Sequence, residues 1–424
     1  MSHKKILVSN FISLSSVQIA NYILPLLTVP YLVRVLGPEK YGLIAFSQAF
    51  IGYFLILTDY GFSLSATREI SINRNNKQKI SDIFSSVMII KTGFLFLSFM
   101  ILCLFVFTID KFRIEWKVYL ASFGAVAGSV MFPVWFFQGM EKMKRVASLN
   151  VLSKAIFTVS IFVFIRTQND YMYVPLISSA GSIVVGLLSL MLIFKQSGVR
   201  LKAQTFDNIQ FQLKDGWHIF LSQIAINLYT VSNTFVLGLF TNNTIVGYYS
   251  AGEKIVKAVQ YMLGPLSQTI YPYISKLSSE SRESALVFIR KIVKLVGVPS
   301  FLVSLGLLVF APLISDIILG KQYKESIYVI QILSFLPFII TLSNIFGIQT
   351  MLNFGLKKTF TKIVATGSIV NIFLAFILVI PLHHIGMSIS ALISEIFVTA
   401  YMFIVLQQND LNILQFKTNF GVIK

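Results

Sequence analysis

Apolar residues run along this chain in long blocks closed by charges or turn residues, with neither the strict alternation of a half-buried strand nor the narrow stripe of a soluble helix. The blocks fall near 9–33, 41–62, 83–108, 116–137, 148–165 and 173–194, then near 216–239, 246–274, 291–314, 327–352, 360–380 and 386–407. A membrane-spanning helix needs about 20 such residues. The pattern therefore predicts an all-α integral membrane protein of about twelve transmembrane helices joined by short loops.

Composition supports that expectation. Of the 424 residues, 55% are hydrophobic and 12% charged, and the mean hydropathy is +0.77. No water-soluble domain has a surface polar enough to match. The 35 Lys and Arg against 17 Asp and Glu would suggest nucleic acid in a soluble protein, but here the excess reports sidedness. With alternating loops and an inside start, the inside loops carry 23 of these cations and the outside loops 8. Both termini are expected in the cytoplasm, with no nucleic-acid partner. The first apolar run has no small-residue cleavage site, so it reads as a retained first helix. Cys103 is the single cysteine, which excludes an internal disulfide and a cysteine-built metal site.

Twelve spans invite a search for duplicated halves. Gln18-Ile19-Ala20 recurs as Gln223-Ile224-Ala225 at an offset of 205, and Gly42 meets Gly247 at that same offset. Phe137-Gln138-Gly139-Met140 before a basic loop echoes Ile348-Gln349-Thr350-Met351 before Lys357-Lys358. An offset of six helices preserves sidedness, so the halves run parallel. The expected organisation is an N-terminal six-helix bundle over 1–195, a cytoplasmic linker over 196–215 and a C-terminal bundle with a short tail over 216–424. Pro25 and Pro30 in the first span, and Pro265 and Pro272 in the eighth, are expected to kink their helices. Gln223, Asn227, Thr230 and Thr234 fall on one helical stripe of the seventh span, opposite polar residues of the first span (Ser13, Ser15, Ser16, Gln18 and Asn21). Interhelical hydrogen bonding explains any one of them; the whole stripe suggests the wall of a central cleft between the two bundles.

Ionisable groups inside spans are costly unless paired or wet, and so become site candidates. Lys91 and Lys154 lie about 12–14 Å from the nearest cytoplasmic charges, within partial reach of snorkelling. Asp59 and Arg68 flank the cytoplasmic end of the second span, where they can pair with each other. Glu253, Lys254 and Lys257 lie roughly 10–16 Å deep in the eighth span. Glu253 and Lys257 have the favourable i,i+4 order for an ion pair. Glu395 is a lone carboxylate in the last span, either interhelical glue or a group that takes up a proton. Glu253 and Glu395 are thus the ion-coupling candidates. The chain has no phosphate loop for ATP, no His/carboxylate spacing for a metal, and no acidic outside loop suited to glycosyl transfer. An enzyme is not expected, nor a cofactor.

The stretch Pro30-Tyr31-Leu32-Val33-Arg34-Val35-Leu36-Gly37-Pro38-Glu39-Lys40-Tyr41-Gly42, with Asp59-Tyr60-Gly61-Phe62 and Ala66-Thr67-Arg68-Glu69, resembles Wzx-type O-antigen flippases. Gly247-Tyr248-Tyr249-Ser250-Ala251-Gly252-Glu253-Lys254 and Tyr271-Pro272-Tyr273-Ile274 extend the resemblance. It implies the polysaccharide-transporter branch of the MATE-like (MOP) superfamily, with two six-helix bundles and alternating access in the bacterial inner membrane. The implied cargo is an undecaprenyl-pyrophosphate-linked sugar repeat unit moved to the periplasmic leaflet. Membrane lipid and the polysaccharide polymerase and chain-length machinery are the implied partners. Such an anion needs cations along its path, which Lys91, Lys154, Lys254 and Lys257 supply. A MATE-like drug or cation antiporter, the alternative, would instead want an acidic lining.

Overall fold

The computed structural model describes residues 3–413 except 231 and 263, with side chains from residue 27 onward apart from 147, 222, 225–231, 262–269 and 272. Every described regular element is helical, and each of the twelve predicted spans falls on helix. Eight helical stretches are long and apolar enough to cross a membrane. Helices α1 (His3–Asp59, 57 residues) and α16 (Lys357–Gln408) carry two predicted spans each. Helix α1 is interrupted at Gly37 (φ 68°, ψ 171°), a conformation that costs glycine little. The break falls there and not at Pro30, because proline removes one hydrogen bond whereas Gly37 turns the backbone itself. Pro25, Pro265 and Pro272 lie outside the residues whose side chains are described.

The chain divides into two compact units, Met1–Ala251 with Ile318–Tyr323, and Gly252–Ile317 with Lys324–Lys424. The first holds α1, α2 (Ser65–Ile72), α3 (Lys77–Thr108), α4 (Asp110–Arg113), α5 (Trp116–Met131) and α6 (Val134–Gly139). It continues with α7 (Met143–Phe164), α8 (Tyr173–Ser197), α9 (Phe206–Thr230), α10 (Ser232–Phe240) and the start of α11 (Asn243–Met262). Small residues let α5 and α8 pack closely. A β-carbon on Gly128 would lie 2.5 Å from Ser182, and one on Gly186 would lie 2.6 Å from Met131, so α5 and α8 meet backbone to backbone. Within that unit, Phe46 and Phe50 of α1 stack on Phe235 of α10 at 5.6 and 5.5 Å. A second core gathers Phe84, Trp135, Phe136, Phe137, Val146 and Ile193.

The repeat-related glycines touch. A β-carbon on Gly42 would lie 1.8 Å from the Asn243 carbonyl oxygen and 2.5 Å from the Gly247 nitrogen; one on Gly247 would lie 1.9 Å from the Pro38 oxygen. Pro38 and Asn243 are themselves separated by 205 positions. Each glycine therefore packs on the repeat equivalent of its own neighbour one turn away, the reciprocal pattern of a two-fold contact.

The second unit contains the rest of α11, α12 (Gly264–Glu280), α13 (Arg282–Ile314), α14 (Ser326–Leu333), α15 (Leu336–Asn344) and α16 (Lys357–Gln408, 52 residues). Ser281 caps α13 by accepting from the Ser284 amide. A π-helical turn, Ile345–Met351, joins α15 to the segment before α16, and Thr350 Oγ1 donates to the Ile345 oxygen at 2.7 Å. Helix α16 is interrupted at His383 (φ 48°, ψ −123°), between its two predicted spans. Ile289, Ile292, Phe346, Met351, Ile363 and Met402 form the core.

Candidate functional site

The ionisable residues singled out from sequence divide between the units, and each set is described within its own. In the first unit Lys91 of α3 is only 4% exposed, and its Nζ lies 3.8 Å from Asp59 Oδ1 at the end of α1. Lys91 therefore does not snorkel. Its buried ammonium pairs with a carboxylate that is itself 37% exposed.

Asp59 does not pair with Arg68. Tyr60 and Gly61 both have positive φ (48° and 78°) and redirect the chain before α2, so Arg68 Nη2 instead meets Asp215 Oδ1 of α9 at 2.9 Å and Glu69 at 3.5 Å. Close backbone packing fixes this end of the unit: a β-carbon on Gly216 would lie 2.9 Å from the Tyr60 oxygen, and Tyr60 stacks on Phe220 at 4.6 Å. Lys154, half-buried on α7, enters no ion pair with any described residue.

Of the seventh-span stripe, Gln223 and Thr234 are half-buried, while Asn227 and Thr230 lie outside the residues whose side chains are described. A cavity of about 230 Å³ opens between α1 and α9, lined by Tyr53, Ile56, Leu57, Phe220 and Ile224 but not by Gln223. Its wall is apolar except for Tyr53, whose hydroxyl donates to Ser232 Oγ at 2.9 Å.

In the second unit the expected i,i+4 pair forms: Lys257 Nζ lies 2.9 Å from Glu253 Oε1. The lysine side chain is 34% exposed and the glutamate 14%, so the pair is mostly covered, the carboxylate more deeply than the lysine. Lys254 is half-buried on the same helix. Glu395 is 6% exposed on α16 and enters no ion pair among the described residues. It belongs to a strip of buried polar residues, Ser388, Ser390, Ser394 and Thr399, in which Ser390 Oγ donates to the Asn371 oxygen at 3.0 Å. No group of three or more His, Cys, Asp or Glu able to hold a metal ion occurs among the described residues.

Three partners were not singled out from sequence. Asp215 is an acid within a basic stretch, and that contrast was the available signal. Lys111 donates to the Leu239 and Thr241 oxygens at 3.1 and 2.6 Å, placing a cation at the C-terminus of α10; burial pushes its pKa below the ordinary lysine value. Gln322 donates to the Val33 and Arg34 oxygens at 3.1 Å, satisfying carbonyls freed by the break at Gly37. Nothing local in the sequence marks that last contact.

Residues 7–278 match the family described as polysaccharide biosynthesis protein. A curated relative from Escherichia coli (strain K12), named "Putative O-antigen transporter", is 33% identical over 402 residues, covering 95% of this chain and 97% of the relative. Among solved structures, an inward-facing MATE family transporter of the MOP superfamily aligns with TM-score 0.72 at 14% identity, covering 95% of this chain and 99% of that one. Lipid II flippase MurJ, in an inward closed conformation, aligns with TM-score 0.70 at 14% identity, covering 95% and 89%. At such identities the two structures speak to the fold alone. The family match and the relative go further: the chain belongs to the polysaccharide biosynthesis protein family, as a transporter of the Wzx type and not an enzyme.

Proposed function

We propose that this transporter flips lipid-linked sugar repeat units, carried on undecaprenyl pyrophosphate, from the cytoplasmic to the periplasmic leaflet of the bacterial inner membrane by alternating access. The O-antigen relative and the flippase fold support the cargo class. The observation that carries the reading is the Glu253–Lys257 ion pair, a half-buried lysine on an intramembrane helix beside a more deeply covered carboxylate. A pyrophosphate leaving water needs cations to replace its hydration, and a lysine on an intramembrane helix is costly without an anion to meet it. Glu253 pre-neutralises the site while it is empty; the incoming phosphate then competes for the same ammonium. Lys254, one residue away, adds a second positive charge, and Lys154 and Arg68 belong to the path in the first half. Glu395 is the coupling residue, since a buried carboxylate without a counter-ion among the described residues can exchange a proton or a cation as conditions change.

Both termini and the 196–215 linker are cytoplasmic in this account, with the repeated halves 1–195 and 216–424 as its working parts. The test is restoration of surface polysaccharide in a flippase-deficient strain, at matched membrane abundance. Lys257→Glu should lose display, Lys257→Arg should keep part of it and Lys257→Gln should fall between. Wild-type display from Glu253→Gln with Lys257→Gln would overturn the anion-binding role of Lys257, because removing both charges would then suffice.

A further inference from the structure

The ends of the first and seventh spans are each closed by a side chain from the opposite half of the sequence. At the first, Gln322 Nε2 donates to the Val33 and Arg34 oxygens, both at 3.1 Å. At the seventh, Lys111 Nζ donates to the Leu239 and Thr241 oxygens at 3.1 and 2.6 Å. Arg34 and Leu239 are separated by 205 positions, as are Gly42 and Gly247. Lys111 and Gln322 are separated by 211, as are Phe137 and Ile348. Repeat-equivalent donors therefore meet repeat-equivalent acceptors, each crossing from one half to the other, which is the reciprocity of a two-fold relation. All of these donors and acceptors belong to the first compact unit.

Local chemistry explains why both ends take a distant donor. A helical carbonyl accepts from the amide four residues on, and for Arg34 that residue is Pro38, which has no amide hydrogen. Leu239 lies in the last turn of α10, where carbonyls run out of partners within the helix. Gln322 is held in place by its neighbours. It sits in a 3₁₀ turn, Lys321–Tyr323, between the fully buried Leu319 and Tyr323, and the Tyr323 ring lies 6.1 Å from that of Tyr248. Gly320, at φ 92°, brings this turn against Arg34: a β-carbon there would lie 3.7 Å from Arg34 Cγ.

Both ties are placed where they can be undone. Gln322 is exposed and Lys111 half-buried. At such positions a hydrogen bond exchanges for one to water at small net cost, whereas a donor deep in the core would leave its acceptors unsatisfied on parting. The anchoring residues Leu319 and Tyr323 are apolar or aromatic and buried, so the turn itself stays intact while the polar tie opens.

We propose that Lys111 and Gln322 are the paired clasps of an outer gate, closed in this structure and released together when the transporter opens to the outside. The proposal rests on the alternating-access reading above and gives it a moving part. A purely structural helix cap needs no donor from the other half; a tie between halves that move must break once per cycle. The two-fold relation makes the clasps equivalent, so neither alone is expected to hold the gate.

The test uses the full-length chain in lipid nanodiscs, with Cys103→Ala and spin labels on Lys117→Cys and Lys321→Cys, two exposed sites from opposite halves. Pulsed electron paramagnetic resonance reads the distance between them. Intact clasps should give a dominant short distance and a minor longer one. Lys111→Gln with Gln322→Ala should raise the ratio of long to short about tenfold, and each single change should raise it several-fold. Lys111→Arg, which keeps a donor, and Arg113→Gln, on the same short helix, should leave the ratio unchanged. An unchanged ratio in the double variant would overturn the gate and leave two static helix caps. A shift from only one of the singles would overturn the reciprocal pair. If the double variant does not reconstitute as a monodisperse protein, a short reversible thiol cross-linker between Arg34→Cys and Gln322→Cys decides. It should stop glycan exposure in proteoliposomes, and reductant should restore it; exposure by the cross-linked protein at the reduced rate would overturn the gate. Failure of the wild type to flip any glycan, with the distances shifting as stated, would count against the cargo reading while the gate stands.

Discussion

Gly42→Ala is expected to damage the protein out of proportion to the single methyl group it adds. The new β-carbon would sit 1.8 Å from the Asn243 oxygen, and 3.4 Å is the near edge of ordinary contact, so the start of α11 must retreat by about 1.6 Å. The obstructing atoms are backbone, not the end of a flexible side chain, so the strain cannot be relieved by a rotamer change. Overpacking of this kind costs about 1–3 kcal/mol, against about 1 kcal/mol that alanine gains over glycine inside a helix. Gly247→Ala should behave alike, because it meets the Pro38 oxygen at 1.9 Å. Gly93→Ala and Gly306→Ala are the controls: nothing lies within 4 Å of either added carbon, so both should be neutral or slightly stabilising. Thermal stability of purified protein and surface-polysaccharide display of the same variants supply the two readouts. If Gly42→Ala and Gly247→Ala match the controls in both, the close helix crossing does not exist as described.

Other substitutions probe the charges. Asp59→Asn should destabilise by about 3–5 kcal/mol by leaving the buried Lys91 ammonium unpaired, whereas Lys91→Met should cost under about 1.5 kcal/mol, since the exposed Asp59 can hydrate; the reverse order in thermal melts would contradict the burial of Lys91. Arg68→Ala should abolish polysaccharide display with normal membrane abundance and less than about 1 kcal/mol of stability, the worth of a mostly exposed pair; unchanged display would leave Arg68 a surface group. Glu395→Gln should keep membrane abundance but remove the dependence of transport on an imposed proton or sodium gradient, measured in vesicles, and a variant as gradient-dependent as the wild type would remove Glu395 from coupling.

The spans were legible because hydrocarbon thickness imposes a length on every apolar run, and that length survives in sequence whatever the helices pack against. The i,i+4 pair Glu253–Lys257 was legible for a similar reason: both partners sit on one helix, whose geometry fixes their separation. Long-range partners were not. Arg68 chooses Asp215 across 147 positions, and only the positive φ of Tyr60 and Gly61 explains why the nearer Asp59 is passed over. Lys91 looked able to snorkel because sequence gives depth along a helix but not which face of α3 is covered. The Gly42 and Gly247 echo was visible as a repeat, yet that the two glycines touch each other required the fold.

The most direct test of the central claim is transbilayer movement itself, in proteoliposomes holding only the purified chain and an undecaprenyl-pyrophosphate-linked oligosaccharide, followed by access of the glycan to an external glycosidase. The account predicts that wild-type protein raises the rate of exposure about tenfold or more over protein-free vesicles, and that Lys257→Glu returns it to the protein-free rate. Exposure by the wild type no faster than in protein-free vesicles, or equal exposure by Lys257→Glu, would contradict it.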